Sequence, residues 1–186
     1  MLIIPTGVRQ TNRGNFQVWE YMQTNARIWG LDFDMSYKIN QEFSLKNQVS
    51  FLNGKDISNS TPLINMPPTK IKNEISYSIN NSNNLSFSLQ SDYTFKQNRY
   101  PLHILEVFVA ESGEMEKLDL STPPPGYHLL NFRSSILFKT KDIYDIKVGL
   151  NISNLFNKTY KNYLSRMRYY AHDLGRNIIL NITLDY

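Results

Sequence analysis

Along much of this 186-residue chain, hydrophobic and polar residues take turns one for one. A period of two belongs to an extended strand, whose successive side chains point to opposite faces, and does not suit a helix. The clearest run closes the chain: Ile178, Leu180, Ile182, Leu184 and Tyr186 fall on one side, and Asn177, Asn181, Thr183 and Asp185 on the other. Before it, Ile146, Val148, Leu150 and Ile152 alternate with Asp145, Lys147, Gly149, Asn151 and Ser153. Within residues 17–38, read as one long extended segment, Trp29, Leu31, Phe33, Met35 and Tyr37 alternate with Gly30, Asp32, Asp34, Ser36 and Lys38. The same pattern predicts strands over residues 43–53, 70–79, 85–95 and 127–139, making seven in all.

The spacing between these strands is as regular as the strands. Short polar turns at residues 39–42, 80–84 and 140–143 alternate with long connections at 54–68, 97–126 and 154–174. Residues 5–15, rich in turn formers, are expected to be a loop. Residues 97–126 hold an apolar patch (104–109), an acidic stretch and Pro123, Pro124 and Pro125. The patch is expected to extend the strands, and the rest to be irregular.

Strands of about 9 to 11 residues, with short turns at one end and long loops at the other, are what a membrane β-barrel requires. Hydrophobic residues make up 41% of the chain, yet mean hydropathy is −0.42, because greasy positions are interleaved with polar ones. No apolar run approaches the roughly 18 residues of a membrane helix, which leaves a strand-built membrane protein open. Twelve tyrosines suit the headgroup layer, where an apolar ring with a polar tip is at home. The bland alternative is a Tyr-rich soluble β-protein.

The closing region adds more specific signals. An Asn154-Leu155-Phe156-Asn157 turn is followed by Tyr160, then Tyr163-Leu164-Ser165-Arg166, then Gly175-Arg176-Asn177 opening the last strand. Residues 26–32 and Met66-Pro67-Pro68 add weaker matches. In order and spacing these resemble the C-terminal end of TonB-dependent outer-membrane receptors. The resemblance implies an all-β fold: an antiparallel transmembrane β-barrel segment, seven strands out of about twenty-two, with external long loops and periplasmic short turns. Residues 1–186 would be the C-terminal portion of that barrel, with no plug domain or signal peptide within them. The implied function is TonB-dependent uptake of a scarce nutrient such as an iron–siderophore or other metal complex. The implied partners are outer-membrane lipids and lipopolysaccharide, the TonB complex acting through a plug, and the barrel-assembly machinery. Tyr186, a terminal aromatic behind an alternating strand, resembles the assembly signal. Two other readings stand beside it: a non-transporting β-barrel binding protein, either adhesin or ligand carrier, and a truncated remnant without transport. A soluble carrier should be apolar inside, whereas here the small polar and charged face is the one assigned to the interior.

Candidate chemistry is confined to the loops. With no cysteines, disulfides, thiolate metal sites and thiol nucleophiles are excluded. A net charge of +4 is spread along the chain without a basic platform, so nucleic acid is not an expected partner. No nucleophile elbow, phosphate-cradling loop or paired-histidine motif supports an enzyme, and no cofactor is implied. The inward carboxylates Asp32, Asp34, Glu74, Asp92, Asp145 and Asp185, with Lys38, Lys46, Lys72, Arg133 and Lys147, are not read as catalytic pairs; in a wide barrel they would line a wet lumen and hold a plug by salt bridges. In the last loop, Arg166, Arg168, Tyr169, Tyr170 and His172 are the candidate ligand-binding residues: guanidinium groups pair with anionic oxygens, and rings pack on a ligand's faces. Against this, loop cations ordinarily bind lipid phosphates or simply solvate the loop. His103, His128 and His172 occur singly and at no ligand spacing, so no metal site is assigned.

Open sheet edges in lipid leave backbone groups unpaired. The 186 residues expressed alone are therefore expected to form no transport-competent pore. Heat-modifiable folding in detergent together with ligand uptake by this chain alone would refute that.

Overall fold

The structure, a computed structural model, describes residues 2–12, 14–79, 84–109, 112–139 and 145–185. Its eleven strands are β1 (Leu2–Thr11), β2 (Gly14–Met22), β3 (Ala26–Lys38), β4 (Phe43–Asp56), β5 (Lys70–Ile79), β6 (Leu85–Thr94), β7 (Ile104–Val109), β8 (Glu114–Asp119), β9 (Tyr127–Phe138), β10 (Asp145–Ser153) and β11 (Asn177–Asp185). Seven of them form one open antiparallel sheet in the order β11-β10-β9-β6-β5-β4-β3. The hairpins β1–β2 and β7–β8 are separate two-stranded ribbons.

Pairing carries the alternation of each strand across the whole sheet. One row runs Tyr37, Leu45, Ile75, Leu89, Phe132, Ile152, Ile178, one residue from each of the seven strands. The neighbouring row on the other face runs Lys38, Ser44, Ser76, Ser88, Arg133, Asn151, Ile179. A one-residue slip anywhere would put Asp, Lys or Arg among the greasy residues, so the register is strongly determined.

Among the described residues, no second sheet packs against the greasy face, and only the segment around Arg99 reaches over it. Leu31, Leu180 and Ile182 are each more than 60% exposed, the reverse of a water-soluble sheet, which buries its apolar side. Aromatic residues gather toward its two ends. Phe43 and Tyr77, whose rings are 4.5 Å apart, lie near the short turns, and Trp29 and Phe51, 5.4 Å apart, lie near the long loops. This is the two-girdle pattern of a barrel wall in a bilayer. One row breaks the apolar pattern: Asn47, Asn73 and Ser91 stand side by side on the greasy face of β4, β5 and β6, and Asn47 Nδ2 donates to Asn73 Oδ1 at 2.5 Å.

Three expectations need correction. Residues 5–15 are not a loop, since 5–11 belong to β1 and 14–15 to β2 of the β1–β2 ribbon. Pro5 and Gly7 mislead because they flank a register shift, the kind of irregularity where a strand tolerates both. Residues 17–38 are not one strand, since the chain breaks at 23–25 and β2 pairs back on β1. The apolar patch at 104–109 does not prolong the membrane strands; it pairs with the acidic stretch as β7–β8. The turn at 39–42 is as expected, with Asn40 Oδ1 accepting the backbone N–H groups of Glu42 and Phe43. Residues 80–83 and 140–144, the other two short turns apart from Asn84, and Tyr186 lie outside the described residues.

At Gly30 the β3–β4 pair leaves no room for a side chain, since a Cβ there would lie 2.6 Å from both Leu52 Cδ1 and the Phe51 carbonyl oxygen. Because backbone cannot yield as a side chain does, Gly30→Ala should cost about 1–3 kcal/mol. The expected readout is a smaller folded, heat-modifiable fraction on a detergent gel, with Gly149→Ala, where the nearest neighbours are 3.8 Å away or more, nearly silent.

Candidate functional site

The long loops meet above the end of the sheet, and polar keys hold their ends together. Asn154 adopts a left-handed backbone (φ 52°) and is 3% exposed. Its side chain accepts from the Lys158 N–H at 2.7 Å and donates to the Lys158 carbonyl at 2.8 Å, while its own N–H donates to Asn131 Oδ1 at 2.9 Å. Asparagine tolerates that backbone region better than other side chains and can hydrogen-bond locally there. Asn157, also left-handed, accepts from the Arg176 N–H at 2.8 Å and so joins the two ends of the loop. A Cβ at Gly175 would sit 2.6 Å from Asn157 Oδ1. The motif residues at Asn154, Asn157, Gly175 and Arg176 are thus loop fasteners.

Above them is the small core of this protein. Among the described residues, the buried hydrophobics are Leu63, Met66, Leu120 and Tyr163, all in connections. Tyr163 is hydrogen-bonded to the backbone of Asn65, and burial pushes its phenol pKa up. The Arg168 guanidinium lies 4.3 Å from the Tyr163 ring centre and 4.7 Å from that of Tyr169, and Nη2 donates to the Tyr169 hydroxyl at 2.6 Å. That hydroxyl in turn donates to the Leu120 carbonyl at 2.8 Å. One cation between two rings therefore fastens the last loop to the two before it. Asp119, next to Leu120, accepts hydrogen bonds from Ser121 and Thr122, which lower its pKa to about 2.

The five candidate ligand residues part company here. Arg168, 7% exposed, is occupied inside the loop core with Tyr169. Arg166 is exposed and lies 5.3 Å over the Trp19 ring of β2. Tyr170 projects into solvent at 74% exposure. His172 alone enters a cleft of about 400 Å3, with Pro124, Tyr127, Lys158, Tyr160 and Lys161. Tyr127 belongs to the polar face, paired with Thr94, and its ring is 4.4 Å from that of Tyr160. The cleft therefore opens at the mouth of the polar side. Asp173 braces it, accepting the Asn162 N–H at 2.6 Å and donating its own N–H to the Tyr160 carbonyl at 3.0 Å. Tyr127 and Lys158 are separated by thirty-one positions and stood in different predicted elements. The available signal was that Tyr127 opens a strand on its polar phase.

Below the cleft, the polar wall is laced by hydrogen bonds. Arg133 pairs with Glu74 and reaches Ser88 at 3.3 Å, Asn131 donates to Asp92 at 2.8 Å, and Gln48 donates to Asp34 at 2.5 Å with Lys46 at 3.9 Å from the same carboxylate. These carboxylates are each tied to neighbours, as a wet lumen lining would be. Of the other histidines, His128 lies 2.8 Å from Ser91 Oγ on the greasy face, and His103 Nε2 is buried with no partner among the described residues. Among the described residues, no three His, Asp or Glu side chains cluster to hold a metal ion.

No family model matches the chain, and no curated protein matches it. Among solved structures it is similar to the copper transporter OprC, with a TM-score of 0.67 and 15% identity over 95% of this chain. The fold is that of an outer-membrane barrel segment. The chain spans 25% of the length of that transporter, and at this identity the likeness is one of fold.

Arg168→Ala should loosen the loop core by about 2 kcal/mol, from two lost cation–π contacts and a hydrogen bond. Limited proteolysis is expected to cut within residues 154–176 sooner while the sheet stays protected. Arg166→Ala, at an exposed site, should leave the cleavage rate unchanged.

Proposed function

We propose that this chain is the C-terminal part of the barrel of a TonB-dependent outer-membrane receptor that imports a scarce nutrient, an anionic metal complex such as a ferric siderophore. The observation that carries it is the wall itself: one face greasy and bare with aromatic ends, the other polar and cross-linked, with a basic, aromatic cleft at its mouth. Lys158, Lys161 and His172 would meet the anionic oxygens of the complex, and Tyr127 and Tyr160 its rings. The ion-paired wall below is suited to a plug, which the TonB complex would displace. Of the candidate ligand residues, His172 is the one that acts directly in this reading, while Arg168 and Tyr169 shape the loop that carries it.

The polarity of the sheet weighs against a soluble carrier, whose interior would be the greasy side.

Uptake by cells carrying the whole receptor of which this chain would be part tests this, with a radiolabelled ferric siderophore and a copper complex as alternative cargoes. Collapsing the proton-motive force should abolish uptake. Combined Lys158→Gln, Lys161→Gln and His172→Gln should lower it by more than about tenfold, since the loss of one charge-assisted contact alone accounts for about that factor. Uptake that persists without the proton-motive force would sink the reading.

A further inference from the structure

The greasy side of the same wall has a concavity of its own. It measures about 680 Å3, near the loop end, and is lined by Thr69, Tyr93, Phe95, Lys96, Arg99 and Gly126, with Gln97 and Asn98. Alternation puts Tyr93 on the greasy face, and its ring meets that of Phe95 edge to face at 4.6 Å. The segment after β6 then folds back over this face. The Arg99 guanidinium lies 4.6 Å above the Phe51 ring, itself on the greasy face opposite Leu31, and Nη2 donates to the Leu52 carbonyl at 3.5 Å.

This strap is built rather than loose. Gln97, 4% exposed, donates to the Met66 and Pro67 carbonyls at 2.8 and 3.3 Å and accepts the Arg99 N–H at 3.0 Å. At Gly126, a Cβ would lie 2.8 Å from both Lys96 N and the Thr94 carbonyl oxygen, so the chain entering β9 presses against the strap where a side chain would not fit. Among the described residues, neither Lys96 nor Arg99 has a carboxylate within 4.0 Å. Two cations without counter-ions are therefore held at the level where greasy wall gives way to loop.

Below them the wall offers hydrogen-bonding groups instead of hydrocarbon. Ser91 is hydrogen-bonded to His128 at 2.8 Å and paired across the sheet with Asn73, which accepts from Asn47. Polar groups facing acyl chains cost free energy unless something there takes up their hydrogen bonds. Ser91 is two residues below Tyr93, about 7 Å along the strand. The headgroup layer on one side of a bilayer is about 5–7 Å deep.

We propose that this concavity and the polar row beneath it hold one phosphate-bearing membrane lipid. The phosphate sits between Lys96 and Arg99, the lipid's ester, amide or hydroxyl linkages meet Ser91, His128 and Asn73, and its acyl chains continue down the wall. A free phosphate ion would use the cations but neither the rings nor the polar row, which favours the lipid as the source. The proposal rests on the greasy face being the lipid-facing one.

Native mass spectrometry of the protein purified from outer membranes in mild detergent reads the outcome directly. The unmodified protein should retain one phosphate-bearing lipid. Lys96→Gln combined with Arg99→Gln should lower retention about tenfold, equivalent to about 1.4 kcal/mol. Asn73→Leu should lower it by about threefold, for one lost neutral hydrogen bond. Excess inorganic phosphate should not displace the lipid. Equal retention by the charge variant, or displacement by inorganic phosphate, overturns the proposal. If the double variant loses its heat-modifiable band, Lys96→Gln alone, at an exposed position, is subject to the same criterion. Uptake measured on the same variants separates the two readings. Lost lipid with intact uptake supports this site alone, and retained lipid in a protein that transports nothing leaves it standing while the transport reading falls.

Discussion

The structure depends on the antiparallel backbone ladder of its seven-stranded sheet. In hydrocarbon no water is available to take an unpaired N–H or C=O, so a spanning strand must find its partners in neighbouring strands. Once paired, each strand presents alternate residues to two different solvents, lipid and water, and the register becomes the most constrained quantity in the molecule. The rows from Tyr37 to Ile178 and from Lys38 to Asn151 express that constraint. A wall that keeps its greasy face outward has no hydrophobic core of its own. For this reason the few buried hydrophobics, Leu63, Met66, Leu120 and Tyr163, lie in the loops.

Loops that cannot lean on a core must be closed by polar chemistry. Asp56 caps the turn after β4 by accepting from Thr24, Ser58 and Asn59. Asn154 and Asn157 close the last loop, Gln97 pins the strap, and Arg168 joins the loops through two tyrosine rings. The entry to β9 organises both sides of the wall. Tyr127 turns inward to the cleft with Tyr160, His128 turns outward to Ser91, and Gly126 just before them lets the chain press on Lys96. One cationic, aromatic concavity faces the water-filled side and the other faces the lipid, from adjacent residues of one strand.

The membrane strands were legible because two solvents impose a period-two code, and 43–53, 70–79, 85–95, 127–139 and the closing pair differ from the observed strands only at their ends. The two ribbons were not. In β1, Pro5 and Gly7 carry turn chemistry but sit at a register irregularity, which local propensity does not distinguish from a loop. In β7–β8 the apolar and acidic segments pair with each other as a short ribbon standing apart from the sheet. Asn47, Asn73 and Ser91 are each a single polar residue on the apolar phase of its own strand. Only the registers reveal them as neighbours.

The candidate site was legible in part for the same reason. The last loop could be recognised as basic and aromatic, but Arg166, Arg168, Tyr169, Tyr170 and His172 are too close in sequence for composition to say which way each turns. By itself the sequence determined the strands of the seven-stranded sheet apart from the start of β3, their two-faced polarity and the turn at Asn154 to Asn157, all of which arise from local pattern. Tertiary structure decided which loop cation is buried between rings, which histidine lines the cleft, and that Lys96 and Arg99 overhang the greasy face. Those outcomes depend on anchors between segments far apart in the chain, Tyr163 on Asn65, Tyr169 on Leu120, His172 beside Tyr127 and Arg99 on Phe51, which the register of the sheet beneath brings together.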